Sequence, residues 1–164
     1  MGIVDEEGSD APVYLVSACL LGVPCAYDGQ GRFEPALTKL VARGQLVPAC
    51  PEVAGGLPAP RATAEIVGGS GEDVLDGTAR VITRSGEDVT AAYRLGAERA
   101  LAVVRAYGIT TAVLRQRSPS CGSACIYDGT HSGQTRPGQG VTAALLRREG
   151  VIVWSESDLP HVLE

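Results

Sequence analysis

The chain has 164 residues, of which 45% are hydrophobic and 4% aromatic, and its formal net charge is -5 at pH 7. This length and composition suit one domain with an aliphatic core. The acidic balance excludes bulk binding to nucleic-acid phosphates, and no apolar run is long enough to span a bilayer. The acidic start, MGIVDEEGSD, lacks the features of a signal peptide, so we expect a cytoplasmic protein.

The N-terminal third predicts two strands and a helix after a flexible lead-in over residues 1–12. The apolar run VYLVSA at 13–18 predicts a buried strand. A helix is expected across EPALTKLVARG at 34–44, and a second strand across QLVPA at 45–49. The following stretch at 50–65 is rich in proline and glycine and is expected to be a loop.

The remainder continues the alternation, within one domain over residues 13–164. The pattern predicts a small β-hairpin excursion at 72–88, the longest helix at 88–108 and a third buried strand at 110–115. A helix at 140–150 and a strand at 151–155 complete the pattern. Strands that alternate with helices imply an α/β fold with a mostly parallel sheet flanked by helices.

Five cysteines are present, an odd count that makes a poor disulfide framework in a reducing compartment. Cys19 directly follows the first predicted strand, Cys50 follows the second, and Cys121 follows the third after a few residues. In open parallel sheets the ligand site lies beyond the carboxyl ends of the strands. We therefore expect these three thiols to converge at one edge of the sheet.

Several chemistries compete for these thiols. Plain packing suits Cys125, which alternates with Tyr127 in a small predicted strand. Zinc is disfavoured because paired CxxC knuckles are absent, and a Cys121–Cys125 redox pair lacks CxxC spacing. A phosphatase-like loop is disfavoured because no arginine follows at the required offset. Widely separated single cysteines suit an iron–sulfur cluster better.

Five ordered motifs are specific enough to identify a family. VSACLLGVPCAYDG, CPEVAGGLPAPRATAE, EDVT, SPSCGSACIYDG and GQGVTAALLRREG together resemble the DUF523 family, also called thiouracil desulfurases. The likeness runs roughly from Tyr14 to Glu156. It implies a single Rossmann-like α/β domain with a [4Fe–4S] cluster held by three cysteines. It also implies removal of sulfur from thio-substituted pyrimidines without net redox change.

Carried over to this chain, the resemblance implies that Cys19, Cys50 and Cys121 are the cluster ligands. Cys25 also lies in a family motif, which leaves an exchange of roles with Cys19 open. The chain departs from the family pattern at His131, where an aromatic residue is usual. His131 lies in a glycine-rich loop that we expect to cover the site.

Desulfuration requires water to attack a ring carbon, which calls for a general base. Glu52, two residues after Cys50, is the predicted base; its alternative roles are to cap a helix or to pair with Arg61. Ser118 is predicted to act in catalysis, by donating to the ring or by relaying a proton. Ser120 is predicted to bind substrate, although serine beside a turn proline is also an ordinary turn former.

Two further residues are predicted to bind substrate. Asp28 lies close in sequence to Cys25 and so can reach the same site. Arg61 can bind a substrate carbonyl or a nucleotide phosphate, or can pair structurally with Glu65.

A small-molecule thio-pyrimidine is the favoured partner, and thiolated tRNA stays an open alternative. The main rival function is a non-catalytic iron–sulfur sensor or structural module that binds a nucleotide. A sensor usually needs an output surface, and none is evident in this sequence.

Overall fold

The computed structural model describes residues 11–162, so the lead-in expected over residues 1–12 falls almost entirely outside the described residues. Within them, one sheet contains β1 (Val13–Ser17), β2 (Gln45–Ala49), β5 (Thr111–Leu114) and β8 (Ile152–Ser155). All its pairings are parallel, and the strand order is β2-β1-β5-β8. The mostly parallel sheet predicted from the alternating pattern is confirmed.

In the described part of the chain, five α-helices lie in the connections between these strands, and a sixth follows β8. They are α1 (Leu37–Val41), α2 (Pro51–Ala54), α3 (Gly71–Asp76), α4 (Thr90–Tyr107), α5 (Val141–Arg148) and α6 (Leu159–Val162). The long helix α4 ends at Gly108, whose left-handed backbone (φ 63°) is costly for residues with a side chain. That helix and its stop were both predicted, whereas the single turn α2 lies inside a stretch predicted to be loop.

Two antiparallel hairpins stand apart from the main sheet. One pairs β3 (Ala64–Val67) with β4 (Arg80–Thr83), and the other pairs β6 (Cys125–Tyr127) with β7 (Thr135–Pro137). The predicted hairpin at 72–88 is therefore wrong in its first strand, because α3 occupies that segment and β4 pairs with β3. A capping box starts α3: the Ser70 backbone N–H donates to Asp73 Oδ2 at 2.8 Å.

The sheet is buried on both faces, which explains the continuous apolar runs of its central strands. On one face, Leu15 and Ala112 pack in a cluster with residues of α4 and α5. On the other, Val16 and Val113 pack with residues of α1 and α6. A third cluster joins the β3–β4 hairpin to α4, so that the hairpin is held beside the carboxyl edge of the sheet.

Glycine allows α2 to pack directly against α4. A Cβ built on Gly96 of α4 would lie 1.9 Å from the Pro51 carbonyl oxygen, and one on Gly55 would lie 2.0 Å from the Ala92 carbonyl oxygen. The backbones of the two helices therefore meet without intervening side chains. This contact fixes the position of Glu52, which lies on α2.

We expect Gly96→Ala to destabilise the protein. Helix propensity alone predicts a gain of about 1 kcal/mol, whereas forcing a methyl group into a backbone contact costs roughly 1–3 kcal/mol. Because the added Cβ would lie 1.9 Å from the Pro51 carbonyl oxygen, we expect the packing cost to exceed the gain in helix propensity. Urea unfolding measures the difference, with Ala102→Gly on the exposed face of α4 as the matched control. An increase in the free energy of unfolding of Gly96→Ala would contradict this packing.

Among the described residues, no helix combines the length and the apolar character needed to cross a membrane.

Candidate active site

A cavity of about 300 Å³ opens at the carboxyl ends of β1, β2 and β5. Its walls come from the strand ends, the start of α2, the loop after β5 and the two hairpins. Its lining includes Cys19, Cys50 and Cys121, whose thiols were predicted to converge at this edge of the sheet. The topology of the sheet thus brings together cysteines that lie 31 and 71 residues apart in the chain.

Each of these cysteines occupies a structured turn. Cys19 lies in a 3₁₀ helix (Ala18–Leu21) that directly continues β1. Cys50 is the N-cap residue of α2, with Pro51 at the first helical position. Cys121 follows β5 in a loop that the Gln116 side chain holds: Gln116 Oε1 accepts N–H groups from three successive residues, 123–125, at 3.2 Å each. The three thiols are therefore anchored on ordered backbone.

A fourth thiol, that of Cys25, also lines the cavity. The backbone carbonyl of Cys25 accepts the Cys50 thiol at 3.6 Å and Arg61 Nη1 at 3.0 Å. Cys25 is thus a close neighbour of Cys50. Cys125, by contrast, lies on β6 outside the residues that line the cavity, in keeping with the packing role expected for it.

Burial makes the thiols weak acids. It raises the pKa of Cys121, although the Ser17 hydroxyl partly opposes the shift. Burial also raises the pKa of Cys19, against the opposing charge of Arg115. Burial and the neighbouring Cys50 raise the pKa of Cys25 to about 12. These three groups are neutral thiols at pH 7 unless a bound cation stabilises their thiolates.

Glu52 is buried at the cavity wall, and both of its carboxylate oxygens are engaged. Arg61 Nε donates to Oε2 at 2.6 Å, and Arg61 Nη2 forms an ion pair with the same oxygen. The Ser118 hydroxyl donates to Oε1 at 3.1 Å. Burial opposes protonation of Arg61, but the Glu52 carboxylate outweighs it and raises the pKa of Arg61. Of the two structural roles considered for Arg61, pairing with Glu52 is the one observed.

Ser118 connects the carboxylate to the cysteine loop. Its Oγ accepts the backbone N–H of Ser120 at 3.0 Å and that of Cys121 at 3.1 Å, while its hydroxyl hydrogen points to Glu52. A single serine therefore fixes the position of Cys121 relative to Glu52.

Two predicted substrate-binding residues lie outside the cavity lining. Ser120 is fully buried, and its hydroxyl bonds to Thr142 Oγ1 at 2.8 Å, which attaches the loop to α5. Asp28 is exposed, pairs with Arg32 and accepts the Gln30 N–H at 3.1 Å. These contacts favour a structural role for both, because neither residue lines the cavity.

The polar residues of the cavity that were not singled out from the sequence include Ser17, Tyr93 and Arg115. Ser17 ends β1 and its Oγ accepts the Arg115 N–H at 3.0 Å. Arg115 directly follows β5, so the strand-end rule that located the cysteines also finds it. Tyr93 lies on α4, and burial together with the Glu52 charge raises its pKa. No sequence signal marks it, because it has the periodicity of an ordinary core residue.

Within residues 11–162, no three His, Cys, Asp or Glu side chains are grouped closely enough to hold a single metal ion. In a [4Fe–4S] cluster each cysteine binds a different iron, so its ligands stand further apart than those of one ion. Three thiols around one cavity suit a cluster, and the donor set is the thiolate set that iron–sulfur clusters require.

Comparison with known proteins gives a consistent result. The model of the 2-thiouracil desulfurase family matches residues 14–158. The uncharacterized protein YbbK of Bacillus subtilis (strain 168) is 49% identical over 149 residues, which cover 91% of this chain and 99% of YbbK. The solved structure of the [4Fe-4S]-dependent thiouracil desulfidase TudS (DUF523Vcz) is similar with a TM-score of 0.80 and 48% identity, covering 92% of this chain and 94% of TudS. The chain belongs to the 2-thiouracil desulfurase family.

Proposed function

We propose that the protein is an enzyme that removes sulfur from thiouracil-type pyrimidines with the help of a [4Fe–4S] cluster. The observation that carries this proposal is the shared cavity: three strand-end thiols and a buried Glu52 carboxylate line the same 300 Å³ space. Family membership supports it independently. The overall reaction exchanges sulfur for oxygen, since a thiocarbonyl and water give a carbonyl and hydrogen sulfide. No electron acceptor or donor is needed.

Cys19, Cys50 and Cys121 would hold the cluster. When bound, a cluster with three protein ligands keeps one iron open to substrate and supplies a Lewis acid for the departing sulfur. The three cysteines approach from three different strand ends, so their positions depend on the register of the sheet. Cys25 is then left as a free thiol beside Cys50.

Glu52 would take the proton from the attacking water. A general base must reach the proton that it removes and must be held in place. Arg61 fixes one oxygen of the Glu52 carboxylate and the Ser118 hydroxyl fixes the other, so its orientation is set before substrate arrives. Ser118 also accepts the backbone N–H of Cys121, which fixes the position of Glu52 relative to the loop that carries Cys121.

A small molecule is the proposed substrate, and the cytoplasm the proposed location. The cavity volume lies at the small end of the range for ligand sites, which suits a single pyrimidine. The net charge of -5 opposes binding to a long nucleic acid. All five cysteines are unpaired, as expected in a reducing compartment.

Anaerobic turnover of 2-thiouracil and 4-thiouracil tests this function. We expect the reconstituted protein to release sulfide and the matching oxo-pyrimidine in a 1:1 ratio, and the protein without iron to release neither. Cluster binding with no turnover of either thio-base would overturn the enzymatic reading and favour the sensor. Turnover that survives removal of iron would overturn the cluster's role.

A further inference from the structure

One histidine lines the cavity and has a buried ring nitrogen that makes no hydrogen bond. His131 lies in the loop between β6 and β7, and its backbone adopts a left-handed conformation with φ 57°. Its side chain is only 20% exposed. Within the described part of the chain, Nδ1 of His131 is the one buried side-chain nitrogen or oxygen without a hydrogen bond. Such an atom in a ligand cavity calls for a functional explanation.

The Glu65 carboxylate fixes this loop. Glu65 is buried on β3, and its Oε1 accepts the N–H of Gly129 at 2.9 Å and that of His131 at 3.2 Å. Its other oxygen, Oε2, lies 3.5 Å from His131 Nδ1. The backbone of the loop is thus anchored to the same carboxylate that faces the imidazole.

The Glu65 carboxylate pairs with His131 and with no arginine among the described residues of the cavity. The nearby Arg61 is bound to Glu52, and among the described residues Glu65 forms no ion pair with an arginine. A normal N–H···O hydrogen bond between these two atoms requires them to approach by about half an ångström. A neutral imidazole carries its hydrogen on only one nitrogen, so a hydrogen on Nδ1 leaves the lone pair on Nε2.

We propose that His131 is a specificity-determining residue that recognises the pyrimidine ring. Glu65 holds the Nδ1–H tautomer, and Nε2 accepts a ring N–H of the substrate. This inference rests on the proposed function and narrows its substrate class to thio-pyrimidines with a free ring N–H. A thio-pyrimidine that is methylated at the contacted nitrogen has no hydrogen to donate and is discriminated against.

Steady-state kinetics of His131→Asn test the role. Asparagine tolerates a left-handed backbone better than most residues, so the loop keeps its conformation while the imidazole is lost. We expect KM for thiouracil to rise about tenfold, the effect of one lost hydrogen bond, with kcat within about twofold of wild type because the loss affects binding uniformly. We expect the ratio of kcat/KM for thiouracil to kcat/KM for its N-methyl derivatives to fall by the same factor. Gln134→Ala, on the same loop but outside the cavity lining, is the matched control.

Glu65→Gln tests whether the Glu65 carboxylate sets the tautomer of His131 and whether that tautomer in turn sets KM, which a merely structural histidine would leave unchanged. Glutamine keeps an oxygen for the two backbone N–H groups and places an NH₂ group toward Nδ1, which drives the ring hydrogen to Nε2. The chain has only two histidines, so ¹⁵N chemical shifts measured in a His161→Gln background report the tautomer of His131 alone. We expect Nδ1–H in the wild type and Nε2–H in Glu65→Gln, with KM raised as in His131→Asn.

The outcomes separate this inference from the proposed function. Absence of thiouracil turnover in the wild type overturns the proposed function, and calorimetric binding of uracil then still compares wild type with His131→Asn. Turnover in the wild type with an unchanged KM and unchanged N-methyl discrimination in His131→Asn overturns the role of His131. A hydrogen found on Nε2 in the wild type overturns the proposed tautomer, and with it acceptance of the ring N–H.

Discussion

Iron binding is expected to be lost in Cys19→Ala, Cys50→Ala and Cys121→Ala, and kept in Cys25→Ala. Wild type and Cys25→Ala should each take up about four irons per chain on anaerobic reconstitution, the content of one [4Fe–4S] core. The physical reason is the ligand count, because removal of one of three thiolates leaves too few to retain the cluster. Iron and acid-labile sulfide per chain, with the visible absorbance, measure the result.

Cys125→Ala is the matched control, because Cys125 lies on β6 outside the cavity lining. Thermal unfolding of each variant before reconstitution separates loss of a ligand from loss of the fold. Retention of iron in Cys19→Ala together with its loss in Cys25→Ala would exchange the roles of these two residues. Absence of iron from the wild type under every reducing condition would remove the cluster from the mechanism.

The sheet and its thiols could be predicted because local rules determine them. Buried parallel strands appear as short apolar runs, and their carboxyl ends share one edge. Cys19 and Cys50 directly follow such runs, so their convergence follows from strand order alone. Arg115 satisfies the same rule after β5, and applying the rule to all residue types would have found it.

The β3–β4 hairpin could not be predicted correctly because its pairing is not local. β4 pairs with β3 across an intervening helix, and the Ser70–Asp73 capping box that starts this helix resembles ordinary turn sequence. The outer wall of the cavity depends on the two hairpins. The juxtaposition of Glu65 and His131, which are 66 residues apart, therefore had no sequence signal.

Ser120 and Asp28 show why proximity in sequence is a weak guide to a site. Ser120 is adjacent to Cys121, but its hydroxyl points into the protein toward Thr142. Asp28 follows Cys25 closely, yet its carboxylate faces Arg32 at the surface. Adjacent side chains in a turn can point in different directions, as Ser120 and the cavity-lining Cys121 do. Ser118, two residues before Ser120, is the serine that reaches Glu52.

Glu52→Gln is expected to stop thiouracil turnover while the cluster stays bound. A glutamine cannot accept the proton of the attacking water, and loss of a general base lowers kcat by roughly 10²–10⁴-fold. Sulfide release under saturating thiouracil measures kcat, and iron content confirms loading. Glu149→Gln, which removes a carboxylate paired with Arg105 at the surface, is the matched control and should leave kcat unchanged.

Because Glu52 forms a buried ion pair with Arg61, Glu52→Gln is also expected to lower the stability of the protein. Glu52→Gln leaves the Arg61 guanidinium without its counter-charge, and breaking a buried ion pair typically costs about 3–5 kcal/mol of stability. The double variant Glu52→Gln/Arg61→Gln removes both charges and should recover most of that stability, as urea unfolding will show. Its kcat should stay as low as that of the single variant, because restoring the fold does not restore the base. A stable double variant with kcat near wild type would mean that Glu52 serves only to neutralise Arg61, and the base must then be sought among the other polar groups of the cavity.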